Sequence, residues 1–241
     1  EDQDTMALRV SARGAKLVRT PKLPAESNLA LRKWKVEVHE DGSAVIAEDL
    51  TIAGQAAHEW RSHYQTPGER RERYAKVWSG RYAGAVLGDV AMEVGDRNRP
   101  VIVRATVKVP QLGDRLPQGE LRLPTSSREA DFTSTYARLG QRRWPLVLGY
   151  PWRHEEQVDY TLPAGARILH LPSARKIQSP FGEFTLAVDR SSEGRAIVIK
   201  SVVLVSKRRM EPSEYAAFRA FLHDTDAALA ERVVVELGRP L

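Results

Sequence analysis

The chain has no cysteine among its 241 residues. Disulfides, thiolate metal sites and a cysteine nucleophile are therefore excluded within it. It also has no run near the roughly 18 consecutive apolar residues that mark a membrane-spanning helix, so no transmembrane helix is expected. Histidine is sparse, with six in all. The closest pair, His58 and His63, is five apart, whereas a helical zinc pair wants a spacing of about three or four. His154-Glu155-Glu156 reads as a solvated strand edge, and His223-Asp224 with Asp226 as helix-end polarity. No metal and no cofactor are expected.

Other chemistries fail on spacing as well. No Gly-x-Ser-x-Gly elbow occurs, and Ser79-Gly80 and Ser191-Ser192 read as turns. Gly80, Gly84 and Gly88 are evenly spaced but lead into a strand without Lys-Ser or Lys-Thr, so they form no phosphate loop. Glu37, Glu48, Glu183 and Asp189 could serve a glycosidase, but so could the carboxylates of any chain this long. The sequence therefore reads as a non-enzyme. Its net charge of +6 could favour acidic partners. However, bases and acids interleave, as in Glu69-Arg70-Arg71-Glu72-Arg73, and nucleic acid wants a one-signed patch. Nucleic acid is not an expected partner.

With 42% hydrophobic and 28% charged residues, the chain has the composition of a globular protein. The fold class expected is mainly β with α (α+β). Residues 1–27, with Pro21 and Pro24, read as an extended connector. Residues 28–112 read as a β-β-α-α-β-β unit. Alternating runs meet at Asp41-Gly42, a hairpin signal. Helical stretches follow over 54–64 and 67–78, then strands over 86–94 and 101–109. Residues 113–128 read as a linker rich in Pro, Gly and Ser. Residues 129–241 read as a β-sandwich-like domain of short strands closed by a C-terminal helix. That helix is expected to start at Pro212, with Glu211 and Glu214 at its positive end, and to bury Tyr215, Phe218, Leu222 and Leu229.

One segment gathers aromatic and basic side chains: Arg142, Arg143, Trp144, Tyr150, Trp152 and Arg153. Such residues either plug a junction between two units or stack on sugars, bases or peptides. Their position just after the linker favours the junction.

Several short motifs recur in a characteristic order. They are Asn28, the Asp41-Gly42-Ser43 hairpin, Gly54…Ala57…Arg61, Arg143-Trp144-Pro145-Leu146, Leu162-Pro163, Leu171-Pro172, Ser179-Pro180-Phe181-Gly182 and Pro212…Tyr215…Phe218. With Asp2-Gln3, Ala7-Leu8 and Thr20-Pro21, this order resembles the C-terminal β-rich region of bacterial transglutaminase-like proteins. Those proteins carry an N-terminal β-domain, a central transglutaminase-like domain and C-terminal domains of unknown function. The resemblance spans nearly the whole chain. It implies that the catalytic cysteine, histidine and aspartate lie upstream and that none belongs to these residues. It also implies an accessory role beside the upstream transglutaminase-like domain, with an envelope polymer, carbohydrate or peptide as the alternative partner. Such proteins are commonly exported, so a periplasmic or otherwise exported location is expected. The acidic opening Glu1-Asp2-Gln3-Asp4 does not read as a signal peptide.

Overall fold

The computed structural model describes residues 4–116, 119–127, 131–191 and 194–237. The opening residues 1–3, part of the expected linker (117, 118 and 128), residues 129 and 130, residues 192 and 193 of an expected turn, and residues 238–241 lie outside that description.

The first two strands correct the connector reading. β1 (Met6–Ser11) and β2 (Gly14–Arg19) pair antiparallel as a hairpin, with Leu8 opposite Leu17 and Val10 opposite Ala15. The physical reason is ordinary alternation: Met6, Leu8 and Val10 share one face of β1. The prolines act only after the hairpin ends.

β3 (Leu29–Val38) and β4 (Ala44–Ile52) follow. Gly42 turns the chain between them at φ +80°, a region open to glycine at little cost. The Ser43 N–H donates to Asp41 Oδ1 at 2.9 Å. Hydrogen bonds from Ser43 hold the Asp41 carboxyl below its usual range. Helices α1 (Ala56–His63) and α2 (Arg70–Arg81) come next, then β5 (Val86–Glu93) and β6 (Val101–Val109). The chain continues through β7 (Asp114–Arg115), β8 (Glu120–Pro124), α3 (Phe132–Tyr136), β9 (Leu146–Val147) and β10 (Trp152–Thr161). It closes with β11 (Arg167–His170), β12 (Arg175–Ser179), β13 (Gly182–Arg190), β14 (Ala196–Val205), β15 (Arg209–Met210), α4 (Tyr215–Ala230) and β16 (Arg232–Glu236).

Eight of these strands form one sheet in the order β12-β13-β14-β10-β3-β4-β6-β5. This differs from the expected β-sandwich. Four strands of the second half, β10, β12, β13 and β14, do not build a sandwich of their own; they extend the sheet begun by β3 to β6. The joint is the parallel pairing of β3 with β10, from Leu29 opposite Arg153 to Glu37 opposite Thr161. All other neighbours in the sheet are antiparallel. The boundary expected at 113–128 thus falls between strands of a shared sheet. A single buried cluster likewise runs from Trp34 and Val103 to Phe184 and Leu222.

Period-two alternation explains which face is buried. Ile46, Leu50 and Ile52 of β4, Val103 and Val107 of β6, and Ile197, Ile199 and Val203 of β14 all point to one side. Lys33, Lys35, Glu37 and Arg104 point to the other and are exposed, as on an antiparallel sheet solvated on one face. Arg104 there spans Asp49 and Glu93.

The buried face is covered piecewise. Trp78 of α2 stacks on Trp34, ring centroids 5.2 Å apart. Phe218 of α4 meets Phe181 edge-on at 5.5 Å. A small sheet, β11-β16-β8-β7, buries Leu121, Leu123, Val233 and Val235. Phe218 and Leu222 are wholly buried, and each such side chain contributes about 1.5–3 kcal/mol.

α4 begins at Tyr215 rather than Pro212 because residues 212–214 form a turn. The Glu211 N–H donates to the Glu214 carboxylate at 3.0 Å, closing that turn from its side-chain side. A hydrogen bond from Lys207, and then that from Glu211, hold the Glu214 carboxyl below its usual range. The helix stops at Ala230, so it does not close the chain; Val233-Val234-Val235 beyond it lie in the strand β16. No helix among the described residues is long and apolar enough to cross a membrane.

Candidate functional site

The aromatic and basic segment separates into distinct environments. Trp152 is buried, 3% exposed, in a stack with Phe132 and Tyr136 at centroid distances of 5.4 and 5.0 Å. Its neighbour Arg153 projects from the opposite face of β10, as strand alternation requires, and pairs with Glu155 at 2.5 Å. Tyr150 is half-buried; its hydroxyl is pushed up to about 12, mainly by burial and then by the Glu59 carboxylate of α1. Arg142 donates to the Trp144 carbonyl at 3.3 Å and lies 5.7 Å over the Tyr215 ring. Arg143 is exposed. Trp144 is 78% exposed. The structure therefore gathers Arg142, Arg143 and Trp144 at the surface and places Trp152 in the core.

A different constellation sits on the buried face of the sheet. Glu48 occupies an apolar register position of β4 and is 3% exposed. It accepts from Trp34 Nε1 at 3.0 Å and from the Tyr74 hydroxyl of α2. Arg32 Nε lies 3.1 Å from the same carboxylate. Burial, and then Glu48, push the Tyr74 hydroxyl well above the usual phenol range.

Across the parallel joint, Arg32 stands in register with Glu156 of β10. Glu156 accepts from Ser126 Oγ at 2.5 Å, Ser127 Oγ at 2.7 Å and the Ser127 N–H at 3.1 Å. Arg32 Nη1 reaches Ser127 Oγ at 3.4 Å. A polar seam, Tyr74–Glu48–Arg32–Ser127–Glu156, thus crosses three adjacent strands. Buried carboxylates persist only with such partners, because an unpaired one costs several kcal/mol.

Over this seam lies a cavity of about 120 Å³, walled by Trp34, Trp60, Tyr64, Tyr74 and Trp78. Val77, 53% exposed, lies on its lining, as does Arg81. The Arg81 guanidinium carbon sits 5.1 Å over the Trp34 ring and 5.3 Å over Tyr82. A wider groove of about 770 Å³ is lined by His58, Arg61, Arg70 and Arg97. Its Arg61 is already held by the backbone carbonyls of Asp96 and Arg99. Among the described residues, no group of three or more His, Cys, Asp or Glu is placed to hold a metal ion.

In the sequence Glu48 is one of four candidate carboxylates, with Glu37, Glu183 and Asp189. A charge at the centre of the run Ala44, Ile46, Glu48, Leu50, Ile52 was the legible sign. Its partners come from β3 and α2, which no local spacing reveals.

Comparison with known proteins adds the following. A family model described as a domain of unknown function with a solved structure (DUF3858) matches residues 122–235. The match opens in β8 and closes in β16, two strands that pair with each other, Arg122 opposite Val234. No curated protein matches the chain. One solved structure from Parabacteroides distasonis, named there as a "putative protease", is similar at 20% identity with a TM-score of 0.43. That alignment covers 52% of this chain and 25% of the other, so the chain spans about a quarter of that protein's length.

Proposed function

We propose that this chain is a non-catalytic accessory module that docks against the transglutaminase-like domain implied by the sequence resemblance. The observation that carries this reading is the β1–β2 hairpin. Met6, Leu8, Val10 and Leu17 lie on one face of it and are 60–73% exposed. A two-stranded hairpin is marginal alone, and contiguous exposed apolar side chains mark interaction sites. An apolar face of this kind suits a folded partner surface rather than water. In this reading the polypeptide acts outside the cytoplasm, as the resemblance implies; fractionation of cells carrying the full polypeptide checks it.

The test uses the chain added in trans to the separately produced transglutaminase-like domain. Association is expected, and Leu8→Lys with Leu17→Lys should abolish it while leaving the melting temperature unchanged. No association with the unaltered chain, or equal association with the double variant, would overturn the docking role.

A second reading is favoured by Trp144, which stands 78% exposed beside Arg142 and Arg143. In it this surface stacks on an envelope polymer. Trp144→Ala should then remove retention on the polymer without loss of stability; unchanged retention excludes that surface.

A further inference from the structure

We infer that the aromatic cavity over Glu48 is the anchor pocket for an acidic peptide segment that carries a phenylalanine-like side chain. The inference is independent of the hairpin docking, since the cavity lies against α2 and the hairpin contributes nothing to it.

Size and polarity set the anchor. A cavity of about 120 Å³ is on the scale of the roughly 150 Å³ apolar cavity known to accept benzene. Five aromatic side chains wall it, which favours offset or edge contacts with one more ring. Among the described residues, the one carboxylate on its wall, Glu48, is already taken by Trp34, Tyr74 and Arg32. A nucleobase would leave its N–H and C=O groups unpaired there, a cost that a benzyl ring does not incur. A cationic anchor is disfavoured for a separate reason: Arg81 already occupies the Trp34 face and Arg32 the carboxylate.

Charge sets what flanks the anchor. Arg81 lines both this cavity and a neighbouring cleft of about 690 Å³ formed with the ends of α2 and α4. Arg122 and Arg232 line the same cleft, against a single acid, Asp114. Among the described residues Arg81 has no carboxylate partner; its neighbours are the rings of Trp34 and Tyr82 and the Ser126 carbonyl at 3.4 Å. A peptide with its ring in the cavity would lay acidic residues along these three guanidinium groups, where complementary charge speeds encounter and fixes register.

The probe is the blocked pentapeptide Glu-Glu-Phe-Glu-Glu, titrated into the full chain and followed by tryptophan fluorescence and calorimetry. Saturable binding is expected, at least about tenfold weaker when Phe is replaced by Ala or all Glu by Lys. Arg81→Gln should weaken it about tenfold and make its salt dependence shallower. Val77→Trp, at an exposed position, should block the cavity without lowering the melting temperature. The inference is overturned if the peptide does not bind, if the Ala or Lys versions bind equally, or if Val77→Trp leaves binding unchanged. It is equally overturned if a single-stranded oligonucleotide binds more tightly than the peptide and Val77→Trp removes that binding.

Discussion

Asn28 Nδ2 donates to the carbonyl of Pro151 at 2.8 Å, across 123 residues of chain. The same side chain accepts the Gln55 N–H through Oδ1 at 3.0 Å. One buried amide, 2% exposed, thereby ties the starts of β3, β10 and α1. Gly54 makes this possible. It sits at φ +69°, and a Cβ there would meet the Ser27 carbonyl oxygen at 2.2 Å and Asn28 Oδ1 at 2.5 Å.

Gly54→Ala should therefore cost more than a positive φ alone, which for a non-glycine residue is about 1–3 kcal/mol. Asn28→Ala should cost a similar amount by leaving the Gln55 N–H and Pro151 carbonyl short of a partner. Denaturant melts measure both. If either variant matches the parent within about 0.5 kcal/mol, the tie is not a structural requirement.

Glu48→Ala should destabilise by about 3–5 kcal/mol, because it strands the part-buried Arg32 guanidinium and two buried donors, Trp34 Nε1 and the Tyr74 hydroxyl. Tyr74→Phe removes only one donor and should cost about 1–2 kcal/mol. The two losses should not add, since they share one network; a double-mutant cycle reads the coupling. Strict additivity would mean the seam is not one unit.

Trp152→Ala should cost about 3–5 kcal/mol, as for a large aromatic removed from a core. Trp144→Ala should stay within about 0.5 kcal/mol. A reversed order in thermal melts would contradict their placements.

The alkaline limb of stability follows from the tyrosines. Tyr150 is raised to about 12 from 10.0, first by burial, and Tyr64, Tyr74 and Tyr160 are raised for the same first cause. A raised folded pKa favours the protonated phenol. That stabilisation is complete below the unfolded value near 10 and is lost as pH rises towards the folded one. The folded protein should hold these four phenols protonated beyond pH 10 by ultraviolet titration, and unfolding free energy should fall between pH 10 and 12. Tyr150→Phe should lessen that fall; an unchanged slope would place its hydroxyl in contact with water.

Local chemistry made the elements legible, and long-range pairing did not. Asp41-Gly42 between alternating runs marks a hairpin because a two-faced strand must be turned tightly. Tyr215, Phe218 and Leu222 mark a helix face by their spacing. Alternation says which face of β10 is buried, but it does not say which strand lies beside it. The shared sheet therefore escaped a reading that separated the chain at 113–128. Met6, Leu8 and Val10 alternate as clearly as β3, but Pro21 and Pro24 drew the segment toward an extended connector. Glu48 was visible as an acid on an apolar face, whereas Arg32, Tyr74 and Trp34 reach it only after folding.

The parallel joint of β3 and β10 has a kinetic consequence. On either side of it, each neighbouring strand is joined to the next by short or intermediate stretches of chain, so both halves of the sheet can assemble early. The joint itself closes a loop of more than a hundred residues, as the Asn28–Pro151 bond measures, and such contacts are slow to form. Refolding should therefore pass through a state with both half-sheets paired and their shared edges still bare. Until β3 finds β10, those two edges are the places where this chain is most exposed to pairing with another copy of itself.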